Sequence, residues 1–175
     1  ARTDPQLGIF IQFADWVVSM LTPNGPAFLH LKVLLRSVAP YFHPSNNGEW
    51  STGLAQFLVS LCDYFSIRVG MERHPKGNRV STPPEAMLRD CDIEDFVELV
   101  TPLVLQAQQG KTMALTTAAT LAVKILAKLH PAKFIPAALE SVESALVTLT
   151  ETHRTIAALR TLAYLSRYLF VNGTH

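Results

Sequence analysis

Apolar residues recur along the chain with the period of an α-helix. After Ser51, which we assign as an N-cap, they fall three and four positions apart and so form one stripe of a helix. This stripe consists of Leu54, Phe57, Leu58, Leu61, Cys62, Phe65 and Val69. Similar stripes cover residues 9–21 and 28–42, with the breaker run 22–26 between them. No segment alternates with period two between turn residues, so the pattern predicts an all-α protein.

The second half of the chain carries four more helical patterns. Asp92 is expected to cap a helix that runs to about residue 109, where Gly110 is placed to end it. The next patterns cover residues 112–129, 131–149 and 152–170, and Pro131 stands at a first turn, where a missing amide costs nothing. Paired in order, these helices form two regular hairpins over residues 92–171.

The two hairpins begin ~40 residues apart, which is the spacing of HEAT-type repeats. The first helix of each hairpin has an interior proline, Pro102 or Pro136, and such a proline bends a helix that wraps around a curved stack. We therefore predict a HEAT-like solenoid of stacked antiparallel hairpins, with residues 1–175 as one segment of a much longer chain. The alternative is a closed bundle of six or seven helices.

Residues 70–84 are predicted to form an irregular basic loop between the two halves. The segment holds Pro75, Gly77, Pro83 and Pro84, which exclude a regular helix, and loops of this length are often functional. Four basic residues lie in or beside this segment, and Glu72 is the one acidic residue among them. They are Arg68, Arg73, Lys76 and Arg79. These four basic residues are our candidates for binding an anion, either a phosphate-rich ligand or an acidic partner segment. The alternative is a solvated loop without a ligand.

Composition narrows the function classes. The 175 residues are 49% apolar and 17% charged, which excludes a disordered chain. A net charge of +1 is too small for a protein that binds nucleic acid through bulk charge, so no direct nucleic-acid binding is expected. No apolar run is long enough to span a membrane, so no membrane partner is expected either. The two cysteines form neither a disulfide framework nor a metal motif.

Each candidate motif for catalysis or metal binding is better explained by a structural role. The sequence 110–112, Gly-Lys-Thr, lacks the earlier glycine and the strand of a phosphate-binding loop, and it is expected to be a turn between helices. The six histidines have no metal-ligand spacing, and Cys62 lies on an apolar stripe. Acidic residues 90–95 suit a helix N-terminus. We therefore expect no enzymatic activity, no metal and no cofactor of the chain's own.

One turn-rich segment resembles a known family. It is Tyr-Phe-His-Pro-Ser-Asn-Asn-Gly-Glu-Trp at 41–50, and its signature residues are Phe42, His43, Pro44, Ser45, Asn46 and Trp50. It resembles the middle region of the giant single-chain, ATP-independent proteasome activators. His-Pro-Ala-Lys-Phe-Ile-Pro at 130–136 and Leu-Thr-Glu-Thr-His at 149–153 resemble a later hairpin of that family. Glu49 and Thr152 depart from its pattern, where a basic residue and a proline are expected.

The resemblance, which covers residues 34–170, implies a function. It implies a non-catalytic segment of a HEAT-repeat dome that caps the proteasome core particle and regulates substrate entry without ATP. Family properties also imply a place in the nucleus and cytoplasm, a link to DNA repair, chromatin or acetylated histones as partners, and inositol phosphate in basic openings of the full-length protein. The family's anchoring C-terminal tail has no counterpart in this sequence. The competing hypothesis is a HEAT-type binding adaptor, such as a segment of a nuclear transport receptor.

Overall fold

The computed structural model describes residues 5–43, 48, 50–74, 82–147 and 152–171. Within them the chain forms seven α-helices and two short 3-10 helices, with no strand. The α-helices are α1 (Pro5–Met20), α2 (Ala27–Val38), α3 (Trp50–Arg73), α4 (Asp90–Gln108), α5 (Met113–Leu129), α6 (Pro131–Val147) and α7 (Thr152–Val171). The 3-10 helices are Ala39–Phe42 and Pro84–Ala86. The all-α prediction is confirmed.

The helices stack in two layers. In one layer α1 packs on α3, α3 on α5, and α5 on α7, while in the other α2 packs on α4 and α4 on α6. Contacts between α4 and α5 and between α6 and α7 join the layers into hairpins. Pro102 and Pro136 lie in α4 and α6, neighbours in one layer, and both are exposed. This is the arrangement expected of a HEAT-like solenoid.

The main hydrophobic core runs through the stack, and a small second cluster of Val142, Ala145 and Ala158 lies between α6 and α7. The largest fully buried side chains of the main core are Phe42, Phe65, Phe96 and Phe134. Phe65 of α3 and Phe96 of α4 lie parallel, with ring centroids 3.6 Å apart, and so tie one layer to the other. Each of these helices therefore buries apolar surface against more than one neighbour.

Glycines allow the closest contacts between neighbouring segments of the fold. A Cβ added at Gly53 of α3 would lie 2.4 Å from the ring of Phe10, so glycine lets α1 and α3 pack closely. Gly110 follows the C-cap of α4, as predicted, but its role is also spatial, because an added Cβ would lie 2.9 Å from Leu115. Substitution at either position forces a neighbouring side chain to move.

Several predicted helix boundaries were wrong, each for a local reason. The pattern at 28–42 tightens into a 3-10 turn after Val38, because Pro40 cannot continue the α-helical hydrogen bonding. Ser51 is not an N-cap, since α3 already begins at Trp50 and Ser51 is buried inside it. Asp92 is not the N-cap of α4 either; Arg89 holds that position and Asp92 is in the first turn.

The predicted irregular loop over 70–84 begins too early. Helix α3 continues to Arg73, and Gly70 lies on an open side of it with no atom near its missing Cβ. His74 immediately precedes Pro75, and a residue before proline disfavours helical backbone. At the far end, Pro84 starts a 3-10 turn. Residues 75–81, the centre of the predicted loop, lie outside the described residues.

A buried ion pair joins three parts of the chain. Arg68 of α3 donates to Glu72 Oε1 at 2.7 Å, and its guanidinium also donates to the carbonyls of Val18 and Leu21, at 2.6 and 2.7 Å. These carbonyls lie in the last turn of α1 and just after it, where i+4 helical donors run out; Val18 O also accepts from the Leu21 backbone N–H at 3.2 Å. Glu72 Oε2 in turn accepts from the backbone N–H of Leu88 at 2.8 Å. We call this set the Arg68 junction; it fixes the end of α1 and the entry to α4 against α3.

We predict that Arg68→Met destabilises the protein by about 3 kcal/mol or more, because it leaves the Glu72 carboxylate buried without its cation. The exposed Arg36 of α2 is the matched control, and Arg36→Met should change the free energy of unfolding by less than about 0.5 kcal/mol. Urea unfolding of both variants measures the difference. Equal losses for the two would show that the Arg68 junction stabilises nothing.

A second prediction concerns pH and the start of α4. Asp92 accepts from the Arg89 side chain and from the Arg89 backbone N–H, both at 2.9 Å, and these bonds hold the pKa of Asp92 below its usual value. The stabilisation is therefore present above pH about 5 and is lost as the pH falls through the lowered native pKa. Asp92→Ala should cost about 1–2 kcal/mol at neutral pH.

That difference from the wild type should shrink as the pH falls into the range where native Asp92 takes up its proton. Urea unfolding at several pH values measures it. The exposed Asp95→Ala, in the same helix, is the control and should cost little at any pH. A penalty for Asp92→Ala that does not vary with pH would contradict the assignment.

Candidate functional site

Two of the four basic candidates, Arg68 and Arg73, lie in the described residues, and both have partners within the fold. Arg68 belongs to the junction described above, and its side chain is 15% exposed. A fourth hydrogen bond from it reaches the carbonyl of Ala86 at 3.1 Å. Arg73 is at the end of α3 and pairs with Asp90 of α4. Lys76 and Arg79 lie outside the described residues, so their part of the hypothesis stays a prediction.

The signature residues of the first motif have different environments. Phe42 is fully buried and ends the first 3-10 helix, whereas His43 is exposed just after it. Pro44, Ser45 and Asn46 lie outside the described part of the chain. Trp50 is 69% exposed at the start of α3. Phe42 therefore serves the core, while Trp50 offers a large apolar surface to solvent.

A cavity of about 430 Å³ lies between the first turns of α5 and α7. The end of α4 and the turn before α5 complete its wall, and Gln108 of α4 donates to Thr161 of α7 at 2.7 Å beside it. The lining residues are Gln108, Gly110, Lys111, Met113, Thr116, Thr120, His153, Ile156, Ala157 and Arg160. We call this space the α5–α7 cavity.

Cations are the only charged side chains of the α5–α7 cavity. Lys111 and Arg160 are both exposed, and neither forms an ion pair within the described residues. Thr116 donates its hydroxyl hydrogen to a carbonyl of its own helix, 3.2 Å from Met113 O, and Thr120 donates to Thr116 O at 2.8 Å. In this arrangement both hydroxyl hydrogens are engaged, which leaves the oxygen lone pairs as the free hydrogen-bonding capacity of these side chains.

Sequence analysis predicted only one element of the α5–α7 cavity, the turn at 110–112. The 110–112 segment is the predicted turn between helices, which excludes a phosphate-binding loop there. What sequence reasoning missed is that Arg160 and Ile156, more than forty residues further on, line the same space as Lys111. Counting the charged residues of each predicted helix would have indicated a basic surface here, since α5 and α7 contain basic residues and no carboxylate.

Two further reactive groups in the described residues, Cys62 and Lys133, have structural roles. Burial raises the pKa of the Cys62 thiol to about 12, and Asp63 adds to the effect, so Cys62 is a poor nucleophile. Lys133 of α6 pairs with Glu94 and Glu98 of α4, at 3.1 and 2.9 Å. Among the described residues no group of three or more His, Cys, Asp or Glu is placed to hold a metal ion. No described helix is long and apolar enough to cross a membrane.

Comparison with known proteins identifies the family. The family model for the mid HEAT repeats region of proteasome activator complex subunit 4 matches residues 31–174. The chain is 36% identical over 160 residues to proteasome activator complex subunit 4 of Xenopus laevis, covering 90% of this chain and 9% of that protein. Identity to the Homo sapiens protein of the same name is 35% over 162 residues, again 90% of this chain and 9% of the relative.

A more distant relative extends the match to plants. Proteasome activator subunit 4 of Arabidopsis thaliana is 28% identical over 154 residues, which is 88% of this chain and 8% of the relative. The chain thus spans less than a tenth of the length of these curated relatives. On the family match and these identities, the chain belongs to the proteasome activator complex subunit 4 family and corresponds to its mid HEAT-repeat region.

Proposed function

We propose that this chain is a non-catalytic scaffold segment of an activator that caps the proteasome core particle and regulates substrate entry without ATP. The observation that carries the proposal is the match of residues 31–174 to the mid HEAT-repeat region of proteasome activator complex subunit 4. Relatives with that name are about ten times as long as this chain, since the matched residues cover 9% of them, so the cap would be formed by the whole protein. This segment would contribute one stretch of its wall.

The geometry supports a scaffold role. A solenoid buries each repeat against its neighbours, and the stack of α1, α3, α5 and α7 has this form. At one edge of the stack, α1 exposes Ile9, Trp16 and Met20, at 65%, 60% and 55%. Such an apolar helix face is typical of a repeat that packs against further protein. The segment is therefore suited to continue a longer wall.

The partners and location follow from the family resemblance and belong to the same proposal. We place the full-length protein in the nucleus and cytoplasm, linked to DNA repair, with chromatin or acetylated histones among its partners. Inositol phosphate is proposed as a ligand of its basic openings, with Lys76 and Arg79 as contributors from this segment. Cellular fractionation of the tagged protein tests the location; absence from nuclei would contradict it.

We predict that the full-length protein increases hydrolysis of a fluorogenic peptide by the purified core particle in buffer from which ATP has been removed. A cap that opens the entrance lets short peptides in without unfolding work, so no nucleotide is needed. Peptidase rates measure the increase in hydrolysis, and mass photometry measures formation of the complex with the core particle. An increase seen only with ATP would contradict the proposal.

The 175-residue chain alone is the comparison for this experiment. Because it spans 9% of the relatives' length, it covers too little of a cap to open the entrance, and the peptidase rate should stay unchanged. Stimulation by this chain alone would show that it acts as an activator by itself rather than as part of the scaffold.

The anion hypothesis has its own test. Lys76→Glu with Arg79→Glu should weaken binding of inositol hexakisphosphate to the full-length protein by about tenfold, since two favourable charges become repulsive. Isothermal titration calorimetry at moderate salt measures the affinity. Unchanged affinity would show that the loop is merely solvated.

A further inference from the structure

Charge is segregated between the two layers in the second half of the chain. Helix α4 carries Asp90, Asp92, Glu94, Asp95 and Glu98 and no basic residue, and α6 adds two glutamates and Lys133, which pairs back to α4. Helices α5 and α7 carry no carboxylate at all. A chain with a net charge of +1 therefore presents an acidic layer on α4 and α6 and a basic one on α5 and α7.

The basic surface is formed by side chains on both helices. Its basic residues are Lys111 just before α5, Lys124 and Lys128 on α5, and His153, Arg160 and Arg167 on α7. Lys124 of α5 contacts α7, since its Nζ lies 4.0 Å from the centroid of the Tyr164 ring. The α5–α7 cavity opens within this surface, beside Lys111 and Arg160.

Apolar side chains are interspersed with these cations. Met113 is 83% exposed and Ile156 is 44% exposed, and both line the cavity. Leu159, one residue before Arg160, is 55% exposed. The surface thus combines positive charge with apolar area that a fully hydrated ion would not cover.

The chemistry of the lining favours a peptide over a small polyphosphate. A polyphosphate has only acceptor oxygens and needs several converging donors. Here Thr116 and Thr120 have already donated their hydroxyl hydrogens to helix carbonyls, and the cations with no ion pair in the described lining are Lys111 and Arg160. Carboxylates spaced along a peptide could each meet one cation, while an apolar side chain between them fills the cavity beside Met113 and Ile156.

We propose that the α5–α7 cavity and the basic surface around it bind an acidic peptide segment that carries apolar side chains between its carboxylates. Lys111 and Arg160 pair with the carboxylates, and Ile156 and Met113 contact the apolar side chain. This proposal does not depend on the proteasome and would stand if the activator function were disproved.

The test measures binding of a fluorescein-labelled peptide of about 12 residues that repeats Glu-Glu-Leu, by fluorescence anisotropy with the full-length protein. A peptide with Gln in place of Glu is the ligand control, and it should bind at least about tenfold more weakly. Raising NaCl from about 0.05 M to about 0.3 M should weaken binding of the acidic peptide but not binding of the Gln peptide.

Two variants separate charge from apolar contact. Arg160→Glu should lower the affinity for the acidic peptide by about tenfold. Arg36→Glu makes the same charge change on α2 and should alter that affinity by less than about twofold. Ile156→Ser should lower the affinity for the acidic peptide by about fivefold, although it leaves the charge of the protein unchanged. Circular dichroism confirms that each variant keeps its helical content, as expected for exposed positions.

Three outcomes would overturn the proposal. Equal losses for Arg160→Glu and Arg36→Glu would mean that only net charge attracts the peptide. Equal binding of the Gln peptide would exclude recognition of carboxylates. Tight competition by tripolyphosphate, together with no effect of Ile156→Ser, would assign the cavity to a small anion instead.

Discussion

The structure depends on one constraint: a helix inside the stack has to bury two opposite sides at once. Helix α3 lies between α1 and α5, and its buried residues include Phe57, Leu58, Leu61, Cys62 and Phe65 along with small residues such as Gly53. A single amphipathic stripe is not enough for this position. The same constraint explains the alanine-rich inner side of α5, where Ala118, Ala119, Ala122 and Ala127 let neighbouring helices approach closely.

Satisfying that constraint leaves backbone groups at the helix ends that need partners. The Arg68 junction provides them for α1, because one guanidinium binds two terminal carbonyls while Glu72 balances its charge. This is why Arg68, the first of the basic candidates, acts within the fold. A buried charge with this many partners is specific in its geometry, and it determines where α4 can begin relative to α3.

The sequence predicted the fold well and the candidate site poorly, for physical reasons. Helical periodicity is local, so the stripes at 54–69 and the hairpins of the second half were found, and breakers such as Pro40 shifted only the boundaries. The partner of a charge is not local: nothing near Arg68 in sequence indicates Val18, fifty residues away. The α5–α7 cavity likewise needs Lys111 and Arg160 from separate hairpins, so it becomes visible only once repeats are stacked.

The central proposal is that this chain, a stacked-repeat segment, forms part of a scaffold that caps the proteasome. Electron cryomicroscopy of the full-length protein bound to the core particle, without ATP, tests it most directly. The account predicts that the segment appears as two layers of helices, α1-α3-α5-α7 and α2-α4-α6, continuous with further repeats packed on the exposed face of α1. A segment folded as a separate closed bundle, detached from the density that covers the core particle, would contradict it.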